Sequence, residues 1–245
     1  FGLIGAFFCI ASARFVKDRL LHAGEYYGLI LLSVLGANMM AAASELLTAY
    51  ISLELLSFSL YVLTSYAKFD LRSNEGGLKY MLLGAFSSAI FLYGISMIYG
   101  VTGSTHFSEI AAALSGDTSD FGMAMFLGLV LIIAGLGFKV AAVPFHMWTP
   151  DAYEGAPLPI TALISAIGKA AGFALFLKLF AQAFLPLVDD WRVFIAVLAA
   201  ATMALGNLVA IQQHNIKRLL AYSSIGQVGF LMMGIAALTP DNADA

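Results

Sequence analysis

Charge is scarce in this 245-residue chain. Asp, Glu, Lys and Arg together make 11% of it, where a soluble domain carries about a quarter. The formal net charge of −3 is too small to attract a polyanion, so no nucleic-acid partner is expected. One cysteine, Cys9, excludes a disulfide framework and a thiolate-held cluster. CxxC, GxGxxG and Walker patterns are missing, and no two histidines fall on facing spans at haem-ligand depth. No cofactor or metal site is therefore expected. The chain alone can neither move electrons nor hydrolyse a nucleotide, and any uphill transport has to be driven by partners or by another ion's gradient.

Apolar residues are abundant instead, at 61% with a mean hydropathy of +0.90. This composition predicts an integral, multi-pass, all-α membrane protein, a polytopic helical bundle embedded in the lipid bilayer. Eight spans are expected, each near the ~20 residues a bilayer core requires: Phe1–Ala13, Tyr27–Ala43, Leu46–Tyr66, Leu78–Tyr99, Phe121–Val143 with a broken continuation, Ile160–Phe180, Trp191–Gln212 and Leu219–Leu238. The long connection Gly100–Asp120 is expected to hold a short surface helix around Ser108–Leu114. Because the chain starts at Phe1 in an apolar run and ends in the polar Thr239–Ala245, it reads as the middle of a longer protein. Arg14, Lys17, Arg19, Lys68, Arg72, Lys79, Lys217 and Arg218 collect on one side, and Lys178 and Arg192 lie near the other. The first side is expected to be cytoplasmic or its organellar equivalent, together with His146 to Glu154.

The stretch from Gly135 to Pro159, GLGFKVAAVPFHMWTPDAYEGAPLP, organises the reading. It sets Lys139 inside an apolar run and Pro144 five residues later. A helix cannot pass proline unbroken, and a break at membrane depth needs protein or a wet cavity to satisfy the freed backbone groups. Glu54 and Lys169 are the other ionisable residues expected deep in the bilayer. Each would cost about 2.5–3.5 kcal/mol at a helix centre, so three at similar depth are expected to face one another. Proton transfer is the chemistry open to them: a carboxylate near a buried amine favours its protonated form, and a retreating one disfavours it. His146 could extend the relay toward the cytoplasm, or be a hydrogen-bonded residue of the broken segment. Lys79 could be an entry site or a positive-inside anchor. Lys178, near a helix end, fits a snorkelling side chain.

LTAYISLELLSF (Leu47–Phe58) can be laid over LLAYSSIGQVGF (Leu219–Phe230), with Leu, Ala-Tyr, a Ser and the final Phe coinciding and Glu54 opposite Gly226. By the span count these helices cross the membrane in opposite directions, as an inverted repeat requires. The expected organisation is an N-terminal span and loop over 1–26, a complete five-helix repeat over 27–190, and the start of a second repeat over 191–245.

GFKVAAVPFHMWTPDAYEGAPLPITALIS, SAIGKAAGFALF (Ser165–Phe176), NLVAIQQHNIKRLLAYSSIGQVGF (Asn207–Phe230) and YISLELLSFSLYVLTSY (Tyr50–Tyr66) together resemble the subunit N family of proton-pumping NADH:quinone oxidoreductase, respiratory complex I. The FHxWTPDxYxGAPxP run distinguishes it from the other antiporter-like subunits and from the multisubunit sodium/proton antiporters. The resemblance implies an antiporter-like fold of fourteen helices, built as two inverted five-helix repeats, in the membrane arm of a translocase. It implies a proton path through Glu54, Lys139 and Lys169, with Lys79 and His146 assisting uptake. Implied partners are the other membrane-arm subunits and, indirectly, the redox subunits that handle quinone and NADH or a ferredoxin. Gln227 stands where many members have histidine, and photosynthetic-type relatives often share it, so the electron donor stays open. The implied location is a bacterial plasma membrane or an organellar inner or thylakoid membrane. Two alternatives stand beside a proton-translocating subunit: a sodium/proton antiporter subunit, and a structural membrane-arm subunit whose buried charges serve packing alone.

Overall fold

A chain this apolar has to bury its backbone polar groups within its own segments, and helices do so. The computed structural model describes residues 1–19, 23–116 and 122–240. In order, the helices are α1 (Gly2–Ala11), α2 (Ala13–Arg19), α3 (Ala23–Ala42), α4 (Leu46–Thr64), α5 (Leu71–Thr102), α6 (Phe107–Leu114), α7 (Gly122–Val140), α8 (Trp148–Gly155), α9 (Leu158–Leu163), α10 (Lys169–Gln182), α11 (Val188–Ile211) and α12 (Ile216–Ala236). A π-helical turn, Ile164–Gly168, joins α9 to α10 without interruption, and a 3₁₀ turn, Leu185–Leu187, leads into α11.

Among the described residues, seven segments are long and apolar enough to cross a membrane: α3, α4, α5, α7, Leu158–Gln182, Leu185–Ile211 and α12. The expected first span is not one of them. Its residues form the ten-residue α1 and, after Ser12, the start of α2. Phe121, the expected start of the fifth span, lies outside the described residues. The surface helix of the long connection is α6, fixed by an isolated bridge between Glu45 and His106 and by the Phe107 N–H on the Ser44 carbonyl at 3.0 Å.

Small residues set the closest crossings, as expected where lipid removes the hydrophobic drive for association. At α11–α12, a Cβ on Gly206 would stand 2.5 Å from the Gly226 amide nitrogen, and one on Gly229 would stand 2.7 Å from that of Met203. At α5–α8, one on Gly76 would stand 2.7 Å from the Asp151 carbonyl oxygen.

Four of the cations expected on one side gather in the structure. Arg72, Lys79, Lys217 and Arg218 meet at one end of the bundle around Asp151 and Glu154. At the other end, Lys178 Nζ donates to the carbonyls of Ala41 and Ala42, the last turn of α3. There the snorkelling amine caps a helix terminus whose dipole favours a cation.

Candidate functional site

α7 stops four residues before Pro144. Lys139 lies in its last turn, and Ala141 takes a left-handed conformation at φ 68°. The Ala142 N–H then reaches back to the Gly137 carbonyl at 2.7 Å, and the Ala141 N–H to Phe138 at 3.1 Å. This is a Schellman termination, with alanine where glycine is usual. Two further hydrogen bonds form at the break. The Val143 N–H donates to Thr202 Oγ1 on α11 at 3.0 Å, and the Trp148 indole N–H donates to the Phe138 carbonyl at 3.0 Å. The break therefore joins α7 to α8 and α11.

Lys139 is 4% exposed and Lys169 7%. Buried ammonium groups need hydrogen-bond partners, and each lysine has a serine. Lys139 Nζ donates to Ser57 Oγ on α4 at 2.7 Å, and Lys169 Nζ donates to Ser224 Oγ on α12. The helices that carry the two lysines are in contact. A Cβ on Gly172, three residues beyond Lys169, would meet Lys139 Cγ at 3.3 Å and Val140 Cγ1 at 3.0 Å. Glycine there lets α10 lie directly on the Lys139 stem. The π-helical turn ends immediately before Lys169, and such turns recur at functional sites because they re-aim the side chains that follow. Tyr153 on α8 completes the surroundings, its ring centroid 5.8 Å from Lys169 Nζ and its hydroxyl buried without a hydrogen-bond partner among the described residues.

Glu54 stands one turn before Ser57 on α4. Its carboxylate acts electrostatically on Lys139, Tyr50 and Tyr61, but makes no ion pair with Lys139 within 4 Å among the described residues. One of its oxygens, Oε1, is buried with no hydrogen-bond partner. A cavity of ≈ 10 Å³ lies between α4, α5 and α7, lined by Ser57, Tyr61, Ser87, Ser88 and Lys139 among others. That is room for about one water.

His146 and Lys79 have other neighbours. His146 is half-buried in the connection between α7 and α8, its ring 6.5 Å from that of Tyr222, with Nδ1 buried and unpartnered. Burial lowers its pKa from the ordinary value, which favours the neutral imidazole. Lys79 sits in a partly exposed charge cluster, 2.6 Å from Glu75 and 2.8 Å from Asp151. Arg218 holds the other Asp151 oxygen at 2.7 Å and Glu154 at 3.1 Å. Burial alone would raise the Asp151 carboxyl, but the hydrogen bonds from Lys79 and Arg218 outweigh it and hold the group below its ordinary value. Sequence reasoning singled out neither Ser57 nor Ser224. Their only signal was spacing: Ser57 falls on the Glu54 face at i+3, and Ser224 is the serine shared by the two aligned segments.

Comparison with known proteins agrees with this architecture. The family model described as NADH:quinone oxidoreductase/Mrp antiporter, transmembrane, matches residues 43–245. NAD(P)H-quinone oxidoreductase subunit 2 of Acaryochloris marina is 50% identical over 227 residues, covering 92% of this chain and 43% of the relative. NADH-quinone oxidoreductase subunit N of Desulforamulus reducens is 44% identical over 230 residues, covering 94% and 48%. A chain of respiratory complex I from Thermus thermophilus superposes with a TM-score of 0.78 at 36% identity, over 95% of this chain and 48% of that one. The chain thus spans less than half the length of these relatives.

Proposed function

The chain belongs to the NADH:quinone oxidoreductase/Mrp antiporter family of membrane subunits, and from that footing we propose that it translocates protons in the membrane arm of a complex I-type NADH:quinone oxidoreductase. Glu54, Lys139 and Lys169 carry the proton, and redox chemistry in partner subunits drives it. The reading is supported by two buried amines, each hydrogen-bonded to a serine, on helices that touch where Gly172 packs on the Lys139 stem. A change in the Glu54–Lys139 separation changes the proton affinity of Lys139, and the proton passes on to Lys169. His146 lies on the cytoplasmic side of Lys139 and serves uptake as a neutral imidazole. Lys79 assists from the charge cluster at the same face. Residues 27–190 form one five-helix repeat, 191 onward begins a second, and the adjoining membrane-arm subunits are the direct partners.

A sodium path is less well supported. Sodium needs several oxygen ligands, and the three residues proposed for the path offer one carboxylate and two amines.

The test is Lys139→Gln and Lys169→Gln in the assembled complex. We expect normal assembly with substrate-driven proton translocation reduced at least tenfold. Undiminished translocation in both variants, or lost assembly alone, would return the buried charges to a packing role.

A further inference from the structure

Among the described residues, the segment that carries α11 is the least buried of the seven long enough to cross a membrane, yet its inward stripe holds one hydroxyl. Trp191, Ile195, Leu198, Thr202 and Gly206 recur at helical spacing along the buried face, and Thr202 is fully buried. Its oxygen is used twice. Oγ1 donates to the Leu198 carbonyl at 2.6 Å and accepts the Val143 N–H of the α7 break at 3.0 Å. The first bond, four residues back on its own helix, is ordinary for threonine. With its one proton spent there, the hydroxyl offers only lone pairs to a partner off the helix.

The residue it holds follows a strained turn. Ala141 stands at φ 68°, a conformation disfavoured for any residue with a Cβ. Such a residue persists where its surroundings over-determine it. Here the Ala142 N–H bonds back to the Gly137 carbonyl, and Thr202 supplies the next bond from another helix.

α11 packs mainly on α12, backbone against backbone at Gly206 and Gly229. Contacts that close transmit displacement because no side chain can give way. Thr202 lies one turn from Gly206, and Ser224, which accepts from Lys169 Nζ, lies two residues from Gly226. One helix pair therefore reaches the end of α7 through Thr202 and the Lys169 amine through Ser224.

We propose that Thr202 is a positioning residue for the two lysines, holding α11 and α12 against the end of α7 so that Ser224 stands at Lys169 while Lys139 stands at Ser57. This rests on the reading of Lys139 and Lys169 as proton carriers. Without the Oγ1 acceptor the Val143 N–H loses its partner, Ala141 relaxes, and the helix pair leaves the placement that serves both amines. Thr202 itself carries no proton.

The experiment measures substrate-driven proton translocation per assembled complex in native membranes, for the parent, Thr202→Val, Thr202→Ala, Thr202→Ser and Lys139→Gln. Valine keeps the branched shape without the hydroxyl, alanine keeps the test open if valine assembles poorly, and serine retains the acceptor. The valine and alanine variants are expected to assemble and to translocate about fivefold less per complex, the bias one hydrogen bond exerts on an equilibrium. Serine is expected to recover most of the parent rate. Deuterium uptake over residues 141–146 should rise in the valine and alanine variants alone. Parent-like translocation per complex or parent-like uptake in both, with Lys139→Gln inactive, overturns this inference and leaves the proton-carrier reading standing. A loss that serine does not recover, or one confined to assembly, overturns it equally. A Lys139→Gln complex that translocates normally overturns both.

Discussion

At the scale of single residues, the site is a matter of matching each buried amine to one hydroxyl. A hydrogen bond to a charged group is worth about 1.5–3 kcal/mol, so Ser224→Ala strips Lys169 of its partner at real cost. Translocation-coupled turnover is expected to fall about tenfold or more, with assembly retained, as read by proton uptake and by native electrophoresis of the complex. Glu54, Lys139 and Lys169 were legible in the sequence because charge is so rare in these spans that each instance needs a reason. The two serines were not. Ser52, Ser57, Ser59 and Thr64 on α4 all donate to a carbonyl of their own helix, four residues back. Such a hydroxyl is self-satisfied and common in spans. Only the fold reveals that the spare lone pair of Ser57, and not that of Ser59, meets a lysine.

At the scale of helices, the break was legible and its position was not. Pro144 announces that α7 cannot continue, yet the helix already ends at Val140 because Ala141 turns left-handed and the freed amides find Thr202 and the Gly137 carbonyl. An alanine in that conformation carries no sequence signal, since glycine is the expected residue there. The π-helical turn before Lys169 was equally silent, because nothing in ISAIG departs from an ordinary apolar helix. Helix crossings give a test at this scale. The α11–α12 contact at Gly206 is backbone against backbone, so no side chain can move aside. Gly206→Val is expected to lower the steady-state amount of assembled complex severalfold. Gly234→Ala, on the same helix pair but with open space around position 234, leaves the amount unchanged when both are quantified by immunoblot.

At the scale of the whole molecule, the charges that orient the chain also fasten it. That Arg72, Lys79, Lys217 and Arg218 share one side was readable from loop composition. Their second use was not, because the partners Asp151 and Glu154 come from the broken segment and Arg218 from far along the chain. Asp151 ties α5 through Lys79 to α12 through Arg218. Lys217 Nζ meanwhile caps the end of α8 at the carbonyls of Glu154 and Ala156. The cluster thus clamps α8 between α5 and α12. Its pH dependence has a definite sign. The Asp151 carboxyl is held below its ordinary value, so its contribution is fully present above about pH 4, the unfolded value, and is lost as pH falls through the lower folded value. Asp151→Asn is expected to lower the thermal unfolding midpoint of the detergent-solubilised complex by a few degrees at every pH from 5 to 8. The gap to the parent should close only in acid below that value. Because Lys79, Asp151 and Arg218 are each partly exposed, the gap should also narrow in molar salt, where the Debye length falls to about 3 Å. A gap that widened on acidification, or ignored salt, would mean that Asp151 acts through packing and not through its charge.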